Sequence, residues 1–420
     1  MKFIDLFAGL GGFHIALSDL GHNCVFACEI NEELRVLYET NFGTKCSGDI
    51  NNIGIKEIPQ HDILCAGFPC QPFSKAGKQN GLFDPKNGNL FDKIMEITDF
   101  HNPEYLLLEN VPNLKGHDDG NTWNYIYQKL SIKYDVCDDI ISPHVFGIPQ
   151  HRARIYIVCR LRKKGGLSDF RFPDRTLNKS LSINTIIEEN PKDFKVLKME
   201  TIKQINIWQE FLDHISSEDV PRFPIWAMEF GATYPFEGKA PYYLSIKELK
   251  KYQGKFGQRI EGNSLDEILF CLPRYSRIDQ IEFPHWKKYY IRANRAFYIK
   301  NKRWLRNWIP KIQEFENSHQ KLEWNCGNSI PLLINDKILQ FRPSGIRVKM
   351  PNFSPALVLS STQIPIFPWL NRYMTKKEAA KLQGMESLRL LPESTPKAFR
   401  ALGNAVNAQV VKRIMKNLAK

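Results

Sequence analysis

No stretch of the sequence is apolar and uncharged over the roughly 18 residues that a membrane-spanning helix needs. It contains no Cys-x-x-Cys pair and no cluster of cysteine and histidine, so no metal site is expected. The nine cysteines are odd in number and several lie in apolar runs, which argues against a disulfide framework. Because an acid interrupts the apolar run Met1–Leu6, this segment predicts a strand rather than a signal peptide, and the expected location is cytoplasmic.

Positive charge is what the sequence has in excess. It carries 58 lysines and arginines against 45 aspartates and glutamates, a net charge of +13 at pH 7. Such a balance favours a polyanionic partner without identifying one. A length of 420 residues predicts two or three domains, and neither an internal repeat nor a low-complexity segment is visible.

Short apolar runs alternate with helical patterns in the first part of the chain, up to about Arg162. The predicted buried strands are Lys2–Leu6, Cys24–Glu29, Asp62–Gly67, Tyr105–Glu109 and Arg154–Val158. The predicted helices are Phe13–Leu20, Glu32–Asn41 and Asn89–Phe100. This alternation indicates an α/β fold with a parallel sheet, in which ligands bind beyond the carboxyl ends of the strands.

The pattern changes after that point, and no clear strand–helix alternation is visible as far as about Pro365. Frequent aromatic residues and prolines predict a second, irregular domain there. Two helices follow, Thr375–Leu382 with a capping box formed by Thr375 and Glu378, and Asn404–Ala419. We therefore expect one domain at residues 1–165 completed by 400–420, a second at 166–365, and a connecting segment at 366–399.

A glycine-rich turn, Asp5–Gly12, directly follows the first predicted strand. Its glycines allow a tight turn and a close approach of a cofactor to the backbone, but their order does not match the dinucleotide fingerprint of a nicotinamide oxidoreductase. Glu29, at the end of the second strand, suits a ribose diol, and Asp49 could accept from an adenine amino group. Taken alone, a tight turn with two surface acids explains these residues about equally well.

Cys70 follows the third predicted strand and would lie at the carboxyl edge of the sheet. Pro69 and Pro72 restrict the backbone around it. A lone cysteine is usually a small buried apolar residue, whereas a nucleophile needs partial exposure and a lowered pKa. A cysteine next to a proline at the end of a strand is a poor candidate for a small buried apolar residue.

Further charged side chains lie at the ends of other strands. Glu109 could act as a general acid or hydrogen-bond donor, although a helix-capping acid fits the same position and is preferred when this residue is taken alone. Arg152 and Arg154 are predicted to share one face of a strand, where two guanidinium groups suit a phosphate or a carbonyl-bearing base. A solvated edge strand explains either arginine alone.

Four segments, taken in their order along the chain, resemble the bacterial DNA (cytosine-5) methyltransferase family of restriction–modification systems. They are the glycine-rich turn and the segments that contain Cys70, Glu109, and Arg152 with Arg154. The resemblance extends to the spacer Asn110–Thr122 and, near the end of the chain, to Arg372–Thr375, Leu382–Met385 and Gly403–Val406. It implies a Rossmann-like mixed sheet with helices on both faces, typical of S-adenosylmethionine-dependent methyltransferases. It also implies a smaller, irregular target-recognition domain.

The resemblance implies two sets of site residues. Those that would bind the cofactor S-adenosyl-L-methionine are Phe7, Gly9, Leu10, Gly11, Gly12, Glu29, Ile30, Asp49, Ile50, Pro69, Leu90, Asn404, Ala405 and Val406. Those that would be catalytic are Cys70, Glu109, Arg152 and Arg154. Ala405 departs from the family, which commonly has serine at that place.

The implied reaction methylates carbon 5 of a cytosine within a specific sequence of double-stranded DNA. Cys70 would bond to carbon 6, Glu109 would hydrogen-bond or protonate ring N3, Arg154 would bind the base oxygen, and Arg152 would brace the pocket. The target base must leave the duplex, because its reacting atoms are unreachable inside the stack. A mobile lid is expected around Lys75–Gln79.

Contacts with DNA are expected beside the nucleophile and in the variable region. Lys287–Lys311 contains nine basic residues and no acidic one, and such residues neutralise phosphates. Helical spacing of Leu305, Trp308, Ile309 and Ile312 places the interleaved aromatics in a core rather than against bases. The residues predicted to contact DNA are Gln71, Ser74, Lys75, Gln150, Lys300, Lys302, Arg303, Arg306, Arg342 and Arg347.

Two alternative functions share the same motifs. A tRNA cytosine-5 methyltransferase has the same core, but the long variable region favours a reader of DNA. A catalytically silent DNA-binding homologue is opposed by the presence of Cys70, Glu109, Gln150, Arg152 and Arg154. A monomer is expected, with a cognate restriction endonuclease that shares the DNA site without being a stable subunit.

Overall fold

A computed structural model describes residues 1–69, 90–176, 180–328, 330–357 and 363–418. Cys70, Gln71, Ser74 and Lys75 lie outside these ranges, as does the predicted lid. The strands are β1 (Lys2–Leu6), β2 (Asn23–Cys28), β3 (Cys46–Ser47), β4 (Ile63–Ala66), β5 (Tyr105–Asn110), β6 (Tyr134–Ile141), β7 (Gln150–His151), β8 (Arg154–Leu161), β9 (Ile225–Trp226), β10 (Lys321–Asn325), β11 (Ile338–Arg342), β12 (Gly345–Lys349), β13 (Ser354–Pro355), β14 (Ile366–Phe367) and β15 (Arg372–Tyr373). The α-helices are α1 (Gly12–Ser18), α2 (Glu32–Phe42), α3 (Leu90–His101), α4 (Asn121–Leu130), α5 (Met199–Asp213), α6 (Ile246–Leu249), α7 (Leu265–Phe270), α8 (His285–Gln313), α9 (Lys376–Leu382), α10 (Thr395–Asn404) and α11 (Ala408–Leu418).

The chain divides into two compact units, and both are discontinuous in sequence. Unit 1 contains Met1–Lys192, Asn352–Ser361 and Thr375–Lys420, and unit 2 contains Asp193–Pro351 and Thr362–Met374. The end of the chain thus belongs to the same unit as its beginning. Within the described ranges, no helix is long and apolar enough to cross a membrane.

A seven-stranded mixed sheet in the order β3-β2-β1-β4-β5-β8-β6 forms the centre of unit 1. The pairs from β3 to β5 are all parallel, and their carboxyl ends therefore meet at one edge. The predicted α/β fold class with a mixed sheet is confirmed, and the strand that makes the sheet mixed is β8, which runs antiparallel to both β5 and β6. β6 was not predicted, because its pattern mixes acids with apolar residues and most of it is only half-buried.

The helices near the end of the chain differ from their prediction in one respect. The capping box is confirmed, since the Thr375 side chain accepts from the backbone amide of Glu378 and the Glu378 side chain accepts from that of Thr375. The last helix, predicted over Asn404–Ala419, is α11, which begins four residues later, at Ala408; α10 precedes it and was not predicted, and the extended backbone of Ala405 separates the two. α11 packs against α1 and so returns the chain to the glycine-rich turn.

Unit 2 contains a six-stranded sheet in the order β15-β14-β11-β12-β10-β9 and the 29-residue helix α8. Its core includes Leu305, Trp308, Ile309 and Ile312, which confirms the prediction from their helical spacing. The sheet was not visible in the sequence, because each of its strands spans only two to five residues and some paired strands, such as β9 and β10, lie far apart along the chain.

Candidate active site

The turn after β1 is held in a conformation that side chains rarely adopt. Phe7, Gly9 and Gly11 all have positive φ angles, of 57°, 55° and 84°. A β-carbon at Gly11 would lie 2.3 Å from the ring of Phe42, so only glycine fits between the turn and α2. Positive φ at a non-glycine residue such as Phe7 is a strained state that often marks a ligand-binding turn.

The carboxylate of Glu29 binds the turn directly. One of its oxygens accepts from the backbone amide of Gly9 at 3.0 Å, and the other accepts from the amide of Asn31 at 2.8 Å. A carboxylate has about four acceptor positions, so each oxygen keeps capacity for one further donor. Glu29 is therefore both a structural acceptor for the glycine-rich turn and a candidate acceptor for a diol.

The segment Asn404–Val406, which joins α10 to α11, comes very close to the glycine-rich turn. A β-carbon at Gly12 would lie 2.5 Å from the carbonyl oxygen of Val406, and one at Gly67 would lie 3.2 Å from Val406 Cγ2. The two glycines therefore make room for this segment where β1 and β4 end. Residues from both ends of the chain thus form one wall of the candidate site.

The remaining predicted cofactor residues surround the same strand ends. Asp49 accepts at 3.0 Å from the backbone amide of Asn51, and Ile50 beside it is buried. Ile30 is 71% exposed, an unusual state for an isoleucine at the end of a buried strand. Leu90, the first residue of α3, is buried, as is Leu10, while Pro69 is partly exposed.

Glu109 is buried near the end of β5 and forms an ion pair with Arg154, whose Nε lies 3.1 Å from Glu109 Oε1. A β-carbon at Gly67 would lie 3.8 Å from Glu109 Oε2, which places this carboxylate beside the Val406 segment. Burial raises the pKa of Glu109, and the charges of Arg154 and Arg152 oppose that rise. The result is a carboxyl group whose protonated form is favoured relative to that of an exposed glutamate.

Arg152 is placed differently from its prediction. It lies between β7 and β8 rather than on one face of a strand with Arg154. Its guanidinium donates from Nη2 to the carbonyl oxygen of Ala405 at 3.0 Å, and its backbone amide donates to Ser142 Oγ at 2.9 Å. The contact with the segment Asn404–Val406 thus uses the main chain of Ala405, so it does not depend on the serine that the family commonly has there.

Comparison with known proteins identifies the family. The model of the C-5 cytosine-specific DNA methylases matches residues 1–420. The chain belongs to this family. It is 30% identical to the type II methyltransferase M.AluI of Cellulosimicrobium cellulans over 99% of this chain and 91% of that protein. It is 42% identical to the type II methyltransferase M.HhaI of Haemophilus parahaemolyticus over 45% of this chain and 56% of that protein.

A solved structure is consistent with the fold of this methylase. The Entamoeba histolytica methyltransferase EhMeth has a TM-score of 0.52 and 17% sequence identity, over 100% of this chain and 97% of that chain. The α/β fold predicted from the alternation of strands and helices is therefore the fold of known methyltransferases.

Asn110 and Ser142 position the catalytic candidates of the methylase and were not singled out from the sequence. Asn110 Nδ2 donates at 3.3 Å to the carbonyl oxygen of Phe68, two residues before Cys70. It therefore ties the end of β5 to the segment that leads to the predicted nucleophile. The position of Asn110 directly after Glu109 was an available signal, whereas nothing in the sequence marks Ser142 as the acceptor for Arg152.

Gln150, predicted to contact DNA, is fully buried on β7, at 0% exposure. Among the described residues, neither polar atom of its carboxamide has a hydrogen-bond partner. A buried amide without partners is costly, so this side chain retains a strong tendency to bind a donor or acceptor that approaches it.

The cations predicted in unit 2 fall into two groups. Lys300 is paired with Asp219 at 2.7 Å, and Arg342 and Arg347 both bind Glu323, at 2.6 and 3.2 Å. The second group is exposed on α8 and has no acidic partner within the described parts of the chain. Its members are Lys302, Arg303 and Arg306.

Proposed function

We propose that this enzyme methylates carbon 5 of a cytosine in a specific sequence of double-stranded DNA, as the modification enzyme of a restriction–modification system. The proposal is supported by the type II relatives M.AluI and M.HhaI. The observation that carries it is the meeting of Glu109, Arg154 and the segment Asn404–Val406 at the carboxyl ends of β4 and β5. In an α/β sheet this edge is where ligands bind.

S-adenosyl-L-methionine fits the residues at this edge and would supply the methyl group. The backbone of Phe7–Gly12 would hold its methionine part and Glu29 its ribose, while Asp49 and Ile50 would take the adenine. The assignment is supported by the close packing of the segment Asn404–Val406 against this turn, which depends on Gly12, since a side chain there would displace the segment. Leu90 and Pro69 complete the proposed set.

Cys70 would make carbon 5 reactive by bonding to carbon 6. When the thiolate attacks carbon 6, the ring electrons shift towards N3 and carbon 5, and carbon 5 becomes able to accept a methyl group. Protonated Glu109 would donate to N3, where negative charge develops, and its raised pKa favours that form. Loss of the proton from carbon 5 to a base then lets the carbon–sulfur bond break and frees Cys70.

Arg154 would hold both Glu109 and the oxygen of the flipped cytosine. Its ion pair with Glu109 fixes the direction of the carboxyl group, and a guanidinium has donors left for a carbonyl oxygen. Arg152 would keep the segment Asn404–Val406 in place through the Ala405 carbonyl. Cofactor and base would then be held on adjoining sides of Glu109.

The decisive experiment is methylation of a DNA library by the purified enzyme, followed by bisulfite sequencing. We expect one protected sequence motif, and absence of any protected cytosine would contradict the proposal. A duplex with 5-fluorocytosine at the methylated position should then trap a covalent complex through Cys70. A competition with tRNA provides the control, because preferential methylation of the tRNA would overturn the choice of DNA.

A further inference from the structure

Acidic partners neutralise many of the cations on α8. The guanidinium of Arg292 lies 2.7 Å from Glu237, and the ammonium of Lys311 lies 2.7 Å from Glu210. Lys288 and Lys300 are paired in the same way, with Glu282 and Asp219. A paired surface cation gains little from binding a phosphate, since its carboxylate must first be displaced or must share the charge.

Five other basic residues of unit 2 form a cluster of a different kind. In the part of the chain that the structure describes, none of them has an acidic partner within 4.0 Å. We name this group the cation cluster, and its members are Lys255, Arg274, Arg277, Lys287 and Lys321. From the sequence, Lys287 was predicted only as the first residue of the basic stretch Lys287–Lys311, and the other four members were not predicted to contact DNA.

Aromatic rings hold the members of the cation cluster together in pairs. The ring of Phe270 has Lys255 Nζ and the guanidinium carbon of Arg277 both at 4.9 Å from its centroid. The ring of Tyr275 has Lys321 Nζ at 4.7 Å, and Lys287 Nζ donates at 3.1 Å to the backbone oxygen of the same residue. Cation–π contacts stabilise such charges only modestly, and they leave the positive charge uncompensated.

Repulsion connects the two pairs through Arg274. Burial lowers the pKa of Lys321, and the charges of Arg274 and Lys287 lower it further. Burial and the charge of Arg274 likewise lower the pKa of Arg277, and burial and the charge of Arg277 lower that of Lys255. Arg274, which is exposed, begins the short helical turn Arg274–Ser276 and Arg277 follows that turn, so this one segment links both pairs.

The nearby carboxylates are committed elsewhere. Glu267 accepts from the backbone amide of Asn263, Asp279 accepts from the Tyr243 hydroxyl, and Glu282 pairs with Lys288. Glu229 accepts from the Tyr275 hydroxyl, but it is buried and pairs with Arg295 at 2.9 Å. Like charges gathered without a counter-ion destabilise a fold, so a bound anion would offset that cost.

We propose that the cation cluster binds the phosphate backbone of duplex DNA, an inference that rests on the proposed function. Part of the surface is accessible: Arg274 is exposed and Phe270 is 66% exposed, whereas Lys287 is buried and the other three members are half-buried. Several uncompensated cations on one surface match the repeated phosphates of duplex DNA better than a single small anion. The side chains of Arg274, Lys321 and Lys255 donate no hydrogen bond to a described group, and Arg274 is best placed to contact a phosphate because it is the exposed one of the three.

Two double variants of equal charge test the proposal. Arg274→Gln with Lys321→Gln removes two uncompensated cations, whereas Arg292→Gln with Lys311→Gln removes two paired ones. Binding of a fluorescent duplex is measured by anisotropy over a series of KCl concentrations. Each lost phosphate contact reduces the salt slope by about 0.9, so the cluster variant should lose nearly two units of slope and about tenfold or more in affinity. The paired variant should change affinity by less than about twofold.

Folding and function are separated by two further measurements. The variant Arg274→Lys with Lys321→Arg keeps both charges and should bind as the unchanged enzyme does. If the salt slope of the Arg274→Gln, Lys321→Gln variant is unaltered, or equals that of the paired variant, the proposed DNA contact of the cation cluster is wrong. Methylation of DNA by the unchanged enzyme would still support the proposed function in that case. If the unchanged enzyme neither binds nor methylates duplex DNA, both proposals fail.

Discussion

The carboxyl edge of the sheet in unit 1 and the basic surfaces of unit 2 obtain their functional groups in different ways. At the sheet edge, backbone atoms hold the important side chains, as the Gly9 amide holds Glu29 and the Ala405 carbonyl holds Arg152. In unit 2 the state of each cation depends on whether a carboxylate from a distant part of the sequence reaches it, as Asp219 reaches Lys300. A site built on strand ends can therefore be recognised from motifs, whereas a charged surface cannot.

The two regions also differ in how much one substitution should matter. A buried group such as Glu109 has few alternative partners, so its loss should be severe. A surface cation shares its task with its neighbours, and each contributes only part of a salt-dependent affinity. The predictions below test this ordering from the largest effect to the smallest.

Replacement of the nucleophile should have the largest effect. Cys70→Ser should reduce methyl transfer by roughly 10⁴-fold or more, because loss of a covalent nucleophile removes the main route of the reaction. Calorimetry should show unchanged binding of S-adenosylmethionine. Cys137→Ser, on β6, is the matched control and should remain active. Near-normal turnover by Cys70→Ser would contradict the covalent mechanism.

Loss of the buried carboxyl group comes next. Glu109→Gln should lower the rate of methyl transfer by about a hundredfold to a thousandfold, within the range for a general acid. In the unchanged enzyme, the rate should fall as the pH rises through the pKa of Glu109, because the donating form is protonated. This alkaline fall should vanish in Glu109→Gln, whose amide donates at every pH.

A second variant tests the direction of the Glu109 pKa shift. The charge of Arg154 lowers the pKa of Glu109, in opposition to burial. Arg154→Gln should therefore move the alkaline fall to higher pH, in addition to slowing the reaction. A fall that stays at the same pH would show that another group produces it.

Substitution at the glycine-rich turn should have an intermediate effect. Glu29→Gln keeps one oxygen as an acceptor but loses the charge, and binding of S-adenosylmethionine should weaken by about tenfold to a hundredfold, the scale of one charged hydrogen bond. Glu29→Ala should be worse and should also lower the melting temperature, since the amides of Gly9 and Asn31 lose their acceptor. Unchanged affinity in both variants, measured by calorimetry, would exclude the ribose role.

The smallest effects are expected on α8, where paired and unpaired cations can be compared on one helix. Joint replacement of Lys302, Arg303 and Arg306 by alanine should flatten the salt dependence of DNA binding by up to about 0.9 per contact. Lys300→Ala should change little, because Asp219 already compensates that charge. Equal effects per residue in the two variants would show that ion pairing does not select the DNA contacts.

Much of the fold of unit 1 could be predicted, because its buried strands are nearly continuous apolar runs. β1 was predicted with its observed bounds, and β2, β4 and β5 were predicted within about one residue at each end. β6 and the antiparallel direction of β8 could not be predicted, since the pairing of strands is a property of the folded sheet. α10 was also missed, although Ala398, Phe399, Ala401 and Leu402 recur at helical spacing in the sequence.

The sequence by itself determined the family and the short motifs of the site, because these motifs are local and their order along the chain is specific. Tertiary structure alone decided which charges are compensated. It paired Lys300, Arg342 and Arg347 with carboxylates, and it brought the cation cluster together without any. The physical reason is that an electrostatic interaction depends on distance in space and on burial, and a linear sequence records neither for residues far apart in the chain.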